Sequence, residues 1–492
     1  MSRARRSAQA RPEAEPRHQS AGRDAPSSTP RAPIEYRAIG SIRGPLIVVQ
    51  DVSGVGWDET ADIKLDTGEI RHGTVLDVHE DLAIVEILEG TSGMRLDSAR
   101  VAFSGAPMMV PVGEGWLGRT CNGRGEPIDG GPPIAGGKQR PVGGAPINPA
   151  MRAAPTKAIL TGVSAIDGLA TLVRGQKLPI FSVGGLPHLE LAAQVAAQAH
   201  VEGEPFAIVF AALGLPHADV QAVRSVLERR AELGDLALFV NTADDPVVER
   251  IITPRVALTV AEYLAFDLGR HVLVVLADLT NYCEAVRQVS AARGEVPSRR
   301  GYPGYLYSDI ASLLERAGQI KGVGGSLTQL PVLTMPAGDI THPVPDVTGY
   351  ITEGQLVLST ELYARGISPP FDPLASLSRL MRHGAGPGLT RDDHLEISAQ
   401  IYGIAALARQ AADLAEVVGE DALSPGDRDY LRARAALERG FLSQPLDESR
   451  SLDDTLDRAW AVASLLPRSE LSMISPETLD AHYRGAAAGP TR

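Results

Sequence analysis

Between residues 107 and 372 the chain repeats one pattern: a short apolar run, then a longer stretch of helical character. An apolar run without polar alternation reads as a strand buried on both faces. Runs of that kind separated by helices give a parallel sheet with crossover helices. The candidate strands are residues 178–182, 206–211, 236–240, 271–277, 332–335 and 355–358. Residues 227–234 and 254–268 are among the helical stretches between them. The pattern therefore predicts an α/β domain over 107–372.

The flanking segments follow other rules. Residues 36–106 hold several short strand signals, at 45–49, 62–66, 74–78 and 82–88. Asp62-Ile63-Lys64-Leu65-Asp66 alternates polar and apolar, the period of a half-buried strand, and Asp66-Thr67-Gly68 is a turn signal. Several short strands at this spacing predict a small β-barrel. In residues 373–475 helices dominate: Ile397, Ile401, Ile404, Leu407, Ala411 and Leu414 recur at helical spacing. Ser424-Pro425 and Ser451 followed by Asp453 and Asp454 read as helix starts, the second running through Trp460. Residues 1–35 are rich in Arg, Pro and Ala with almost no large apolar side chains, too few to offset ordering entropy, and are read as disordered. Residues 476–492, ending in small and polar residues, are read as a flexible tail.

Composition narrows the function classes. The net charge of −13 argues against a nucleic-acid surface, and 4% aromatic content against a base-stacking platform. Cys121 and Cys283 are far apart with no metal-like spacing, so two unrelated buried thiols in a reducing compartment fit best. No apolar run approaches the roughly 18 residues needed to span a bilayer, so a membrane role comes through partners. The Arg-rich start lacks the apolar core of a secretory signal.

A strand, a Gly-rich turn and a helix are where a phosphate-binding loop should sit. Here the strand ends in Pro179-Ile180-Phe181 and the turn reads Ser182-Val183-Gly184-Gly185-Leu186-Pro187-His188-Leu189. Laid against G-x-x-x-x-G-K-[ST], His188 stands for the lysine and Leu189 for the magnesium-binding hydroxyl. Pro187 stands for the second glycine and has no N–H to offer a phosphate. After the strand at 206–211 comes Ala212-Leu213-Gly214-Leu215-Pro216-His217, without a carboxylate to orient an attacking water. Asp278 ends the strand at 271–277 in the manner of a Walker-B acid, though holding a loop is the better reading for it. His342 and His383 read as loop packing and an exposed helix-end histidine rather than metal ligands.

Longer motifs then carry a resemblance. Gly185-Leu186-Pro187-His188, Asn281-Tyr282-Cys283-Glu284-Ala285, Ser290-Ala291-Ala292-Arg293 and the run from Arg299 to Tyr307 resemble the B subunit of V/A-type rotary ATPases. So do the runs from Thr341 to Asp346, from Gly349 to Gln355 and from Ser376 to Met381. The run from Asn122 to Asp129 is similar to the segment joining that family's barrel to its nucleotide domain. The resemblance spans residues 36 to about 470 in the family's order.

That resemblance implies a barrel, a RecA-like central domain and a helical C-terminal domain. It implies a ring of three catalytic A and three non-catalytic B subunits (A3B3) around a central-stalk shaft, with peripheral-stalk subunits held by the N- or C-terminal domains. ATP or ADP with Mg would lie at an A–B interface, held mainly by A, with none bound tightly by this chain alone. The chain would contribute Arg379 as an arginine finger in trans; a planar, permanently charged donor suits charge developing on a transferring phosphoryl group. Gly185 and His188 are the residues of the degenerate loop that would meet a nucleotide held there. The complex would couple ATP chemistry to proton or sodium transport at the cytoplasmic face, meeting the membrane only through a separate ion-translocating sector. The sequence departs from the family in Ser-Val-Gly-Gly for the usual Ser-Gly-Ser-Gly, in Leu189 for a usually polar residue, in the segment after Gly214, and in the N-terminal extension. Two alternatives stand beside this reading: a self-sufficient homohexameric ATPase of secretion or helicase type, disfavoured by His188, and a scaffold in which Arg379 is dispensable.

Overall fold

The computed structural model describes residues 35–485, apart from Ala38. The extension read as disordered therefore lies, up to residue 34, outside the described residues. Seven strands form the N-terminal antiparallel sheet, ordered Glu35–Tyr36, Arg100–Pro107, Glu59–Lys64, Ile70–His79, Leu82–Ile87, Leu46–Val49 and Ile39–Arg43. In Glu59–Lys64 the alternation works as predicted: Ala61 and Ile63 are buried, Asp62 and Lys64 exposed. With Ile47, Val49, Val75, Val85 and Val101 they build a separate core.

The central sheet runs Leu377–Ser378, Gly354–Val357, Ile180–Ser182, Ser326–Thr334, His271–Ala277, Phe206–Leu215, Leu236–Thr242 and Arg119–Asn122. All neighbours are parallel except the first pair. All ten residues of Phe206–Leu215 are buried. Its side chains divide by the two-residue period: Ile208, Phe210 and Ala212 face one core, Ala207, Val209 and Ala211 the other. Helices cover both faces, which is why these strands read as unbroken apolar runs. All six predicted strands are present. Arg119–Asn122 lay outside the prediction because an edge strand with Arg and Asn carries no apolar run.

Four details differ from the sequence reading. The helical stretch read at 227–234 is the end of a helix that runs from His217 to Glu232. The helix expected at 254–268 starts at Val247 and carries Pro254 inside it, continuing as a π-helical turn over Tyr263–Asp267. Leu377–Ser378 pairs with Gly354–Val357, so the central sheet extends past residue 372; a two-residue strand has no periodicity to read. Pro476–His482, read as the start of the flexible tail, is a helix capped by Ser475. It is held by buried Leu479 and by His482 stacked on Trp460 at 5.3 Å between ring centroids.

The C-terminal helices His394–Val418, Pro425–Ala436 and Leu452–Ala463 share a core with one face of the central sheet. Ile397, Ile401, Ile404 and Ala411 point into it, while Leu407 and Leu414 are exposed. At 100° per residue those two leucines fall about 80–100° off the buried stripe. Ser424 and Ser451 cap their helices as predicted, Ser424 in a reciprocal capping box with Asp427.

Candidate functional site

Two places carry the candidate residues, at opposite ends of the central sheet. The Gly-rich turn leaves the carboxyl end of Ile180–Ser182 and enters the helix His188–Gln198. Its N–H groups are partly turned inward: Leu186 N donates to Val183 O at 3.2 Å, and His188 N to Leu186 O at 2.8 Å. Pro187 offers none. A phosphate cradle needs such groups convergent and free. The His188 side chain is also engaged, its Nδ1–H donating to Leu186 O at 2.8 Å and its Nε2 facing Thr334 Oγ1 at 3.5 Å. Gly185 sits exposed at φ +90°, with nothing within 4 Å of where a Cβ would stand. Leu189 packs against the hydrophobic core.

Asp278 behaves as a structural acid. Its Oδ1 accepts from Thr280 N at 2.7 Å, capping the helix Leu279–Arg293, and from Thr334 N at 3.3 Å; its Oδ2 accepts from Thr334 Oγ1 at 2.5 Å. It is 4% exposed, and burial pushes its carboxyl above the usual range. These partners tie two strand ends together and engage both carboxylate oxygens. The strand Phe206–Leu215 bends at Gly214, where Asn281 Nδ2 donates to the carbonyls of Leu213 at 3.0 Å and Gly214 at 3.1 Å. The bend places Gly214 over the buried Arg250 guanidinium, a space that side-chain atoms would overfill. The donor set of this pocket thus does not fit a magnesium nucleotide.

Arg379 follows the edge strand Leu377–Ser378. Because that strand runs antiparallel to Gly354–Val357, with Ser378 opposite Gly354, Arg379 lies at the amino end of the parallel strands. The loop lies at the carboxyl end, at least one strand length (about 10 Å) away. The structure therefore does not bring Arg379 together with Gly185 and His188. Arg379 is exposed, and among the described residues it has no carboxylate partner. Its Nη1 donates to Thr352 O at 3.3 Å and its backbone N–H to Glu353 O at 3.0 Å.

The mount beneath it was not singled out from the sequence. Gln176, fully buried, donates through Nε2 to Ser378 Oγ at 2.9 Å and to Glu353 O at 3.0 Å. Ser378 Oγ donates onward to Thr171 O at 2.9 Å. Lys177, 4% exposed, places Nζ 3.0 Å from Glu353 Oε1 and 2.7 Å from Glu315 Oε1. A buried lysine is the one signal that could have flagged this group, and burial is not visible in a single sequence.

His342, read as loop packing, caps the helix Pro343–Ile351 through Nδ1 and packs edge-on against Tyr302. His383 is exposed in the short helix Met381–Gly384. Cys121 and Cys283 are separate buried thiols. No helix among the described residues is long and apolar enough to cross a membrane.

Comparison with known proteins gives the same three-part division. The β-barrel domain of the ATP synthase alpha/beta family matches residues 39–105, and that family's nucleotide-binding domain residues 162–378. The C-terminal domain of V and A type ATP synthase matches residues 383–483. The chain is 54% identical to the B subunit of the A-type ATP synthase of Aeropyrum pernix over 457 residues, 92% of this chain and 99% of that one. It is 53% identical to the V-type ATP synthase beta chain of Halothermothrix orenii, over 92% of this chain and 98% of that one. It is 51% identical to V-type ATP synthase beta chain 2 of Clostridium tetani, over 92% and 99%. A solved ATP synthase subunit from Nanoarcheaum equitans superposes with a TM-score of 0.69 at 37% identity, covering 86% of this chain and all of that one. With a barrel, a nucleotide-binding fold lacking a working phosphate loop and a V/A-type C-terminal domain, the chain belongs to the B-subunit family of A-type and V-type ATP synthases.

Proposed function

We propose that this chain, as a B subunit, supplies Arg379 across the interface and so completes the ATP site of a neighbouring catalytic A subunit. In this reading the A subunit holds ATP or ADP with Mg, and three A and three B subunits alternate in a ring. The ring sits at the cytoplasmic face of the membrane. Through central- and peripheral-stalk subunits it couples ATP chemistry to proton or sodium movement in a separate membrane sector.

One observation carries the reading: an exposed arginine, braced through its backbone and lacking a carboxylate partner among the described residues, at the opposite end of the sheet from its own loop. An arginine so placed is remote from its own loop, which supports service to nucleotide held by another chain. Arginine fingers contribute roughly 10³ to 10⁵ in rate. Gly185 and His188 take a lesser part, since a nucleotide at the degenerate loop must first displace His188 from Leu186 and Thr334.

The test is ATPase assay of the chain alone, of its complex with the A subunit, and of that complex carrying Arg379→Ala. The expected results are no turnover, turnover, and a loss of roughly 10³-fold or more. Hydrolysis by the isolated chain would establish the homohexameric alternative instead. Full activity of the variant complex would reduce the chain to a scaffold.

A further inference from the structure

An arginine that must reach a neighbour's phosphate cannot be held by a carboxylate of its own chain. Glu353 is the carboxylate residue whose backbone the arginine is hydrogen-bonded to. Its carbonyl oxygen accepts the Arg379 backbone N–H, and Arg379 Nη1 already rests on the carbonyl of the preceding residue, Thr352, at 3.3 Å. The Glu353 side chain is 31% exposed and points elsewhere: Oε2 accepts from Lys177 N at 2.8 Å, and Oε1 lies 3.0 Å from Lys177 Nζ.

The charges around Lys177 balance. Lys177 and Arg152 face Glu315 and Glu353, with Lys177 Nζ 2.7 Å from Glu315 Oε1 and Arg152 Nη2 2.8 Å from Glu315 Oε2. Two cations meet two anions, and no negative charge is left over for Arg379. Without Lys177 the group carries one excess negative charge, one cross-strand hydrogen bond away from the arginine.

We propose that Lys177 is a positioning residue for Arg379: by engaging Glu353 it keeps the guanidinium free for a neighbouring subunit's nucleotide. The proposal rests on the trans role of Arg379 given above. Lys177 touches no substrate in this scheme. It acts by occupying a competitor.

The assay uses the reconstituted complex with the A subunit. Lys177→Met is expected to lower kcat about five-fold, the upper end for an exposed ion pair, with KM little changed. Lys177→Arg keeps the charge and should stay within two-fold of the parent. The double variant Lys177→Met with Glu353→Gln should return to within two-fold, and Glu353→Gln alone should be near normal. Raising ionic strength should recover activity in Lys177→Met relative to the parent, because salt screens the Arg379–Glu353 pair; a merely loosened fold gives no such recovery. Thermal midpoints of each variant separate folding from function, and Lys177→Gln, with the same expected rank order, serves if Lys177→Met does not assemble. Normal turnover of both Lys177→Met and Lys177→Gln, or a loss that neither Glu353→Gln nor salt repairs, overturns the proposal. Full turnover of Arg379→Ala sinks the trans reading and this proposal together. Collapse of Arg379→Ala with Lys177→Met unaffected sinks this one alone.

Discussion

Gly354 stands directly opposite Ser378, so close that a Cβ at 354 would lie 2.3 Å from the carbonyl oxygen of Leu377. Its φ of +141° adds strain for any other residue. Gly354→Ala should therefore push the strand that carries Arg379 off the sheet edge. A displacement near 1 Å at a reacting group costs roughly 100-fold. On the trans role proposed for Arg379, the expected outcome is a 10- to 100-fold fall in turnover of the A–B complex, on the order of that misplacement cost, with circular dichroism showing the fold retained. Unchanged turnover would mean that the edge strand does not set the arginine's position.

Much of this architecture was legible before the structure because its cause is local. A strand buried on both faces must be apolar throughout, and Phe206–Leu215 is. Ser424 and Ser451 announce their helices because a hydroxyl there satisfies first-turn N–H groups. The broken loop was legible because Pro187, His188 and Leu189 each remove a specific chemical part. What stayed hidden depends on distant pairing. Gln176 and Ser378 are 202 residues apart and meet only after the sheet forms. Nothing in the sequence around Lys177 says that it is buried between Glu315 and Glu353.

The barrel is tied to the central domain through Glu89, which a titrating barrel histidine also holds. His72 Nδ1 lies 2.7 Å from Glu89 Oε1, and Arg124 bridges Glu89 to Glu126, with Glu249 3.8 Å from its Nε. The hydrogen bond to Glu89 raises the His72 pKa against the effect of burial. A raised histidine pKa means that its stabilisation is full below about pH 6.5 and is lost as pH rises through the folded value. His72→Gln should remove that pH dependence. The side chain is 47% exposed, so solvent screening keeps the change below about 1 kcal/mol. Denaturant unfolding at pH 5.5 and 8 is the measurement; a variant as pH-sensitive as the parent would exclude His72 as the titrating group.

Asp167 makes the opposite kind of site, wholly enclosed where the central domain meets the C-terminal helices. It accepts from Thr161 N at 2.9 Å, Thr161 Oγ1 at 2.7 Å and Gly162 N at 2.9 Å. Burial nevertheless pushes its carboxyl up to about 6, the hydrogen bonds pulling the other way. A raised carboxylate pKa stabilises the fold below the unfolded value near 4, and that contribution fades as pH rises to about 6. The shift of about two units bounds the effect at roughly 3 kcal/mol. Asp167→Asn presents amide hydrogens to donors and should destabilise at every pH by about 1–3 kcal/mol. The gap between parent and variant should narrow from pH 4 to pH 6. A gap that widens over that interval would mean the carboxylate is ionised in the fold well below pH 6.

The degenerate loop offers a test of which replaced parts govern nucleotide binding and which govern hydrolysis. Gly184 and Gly185 are exposed and unobstructed, so the turn has room for a phosphate once its missing parts return. Pro187→Gly with His188→Lys and Leu189→Thr restores an N–H, a cation and a magnesium-binding hydroxyl at the matching positions. Two obstacles remain untouched. Asp278 has both oxygens committed to Thr280 and Thr334, and residues 212–217 carry no carboxylate to orient water. Binding and turnover should therefore separate. Titration calorimetry on the isolated triple variant is expected to show tighter Mg-ATP binding than the parent, while its ATPase rate stays at the parent's background. Turnover by the isolated variant would show that the three loop residues are the whole barrier, and that neither the lock on Asp278 nor the missing carboxylate limits hydrolysis.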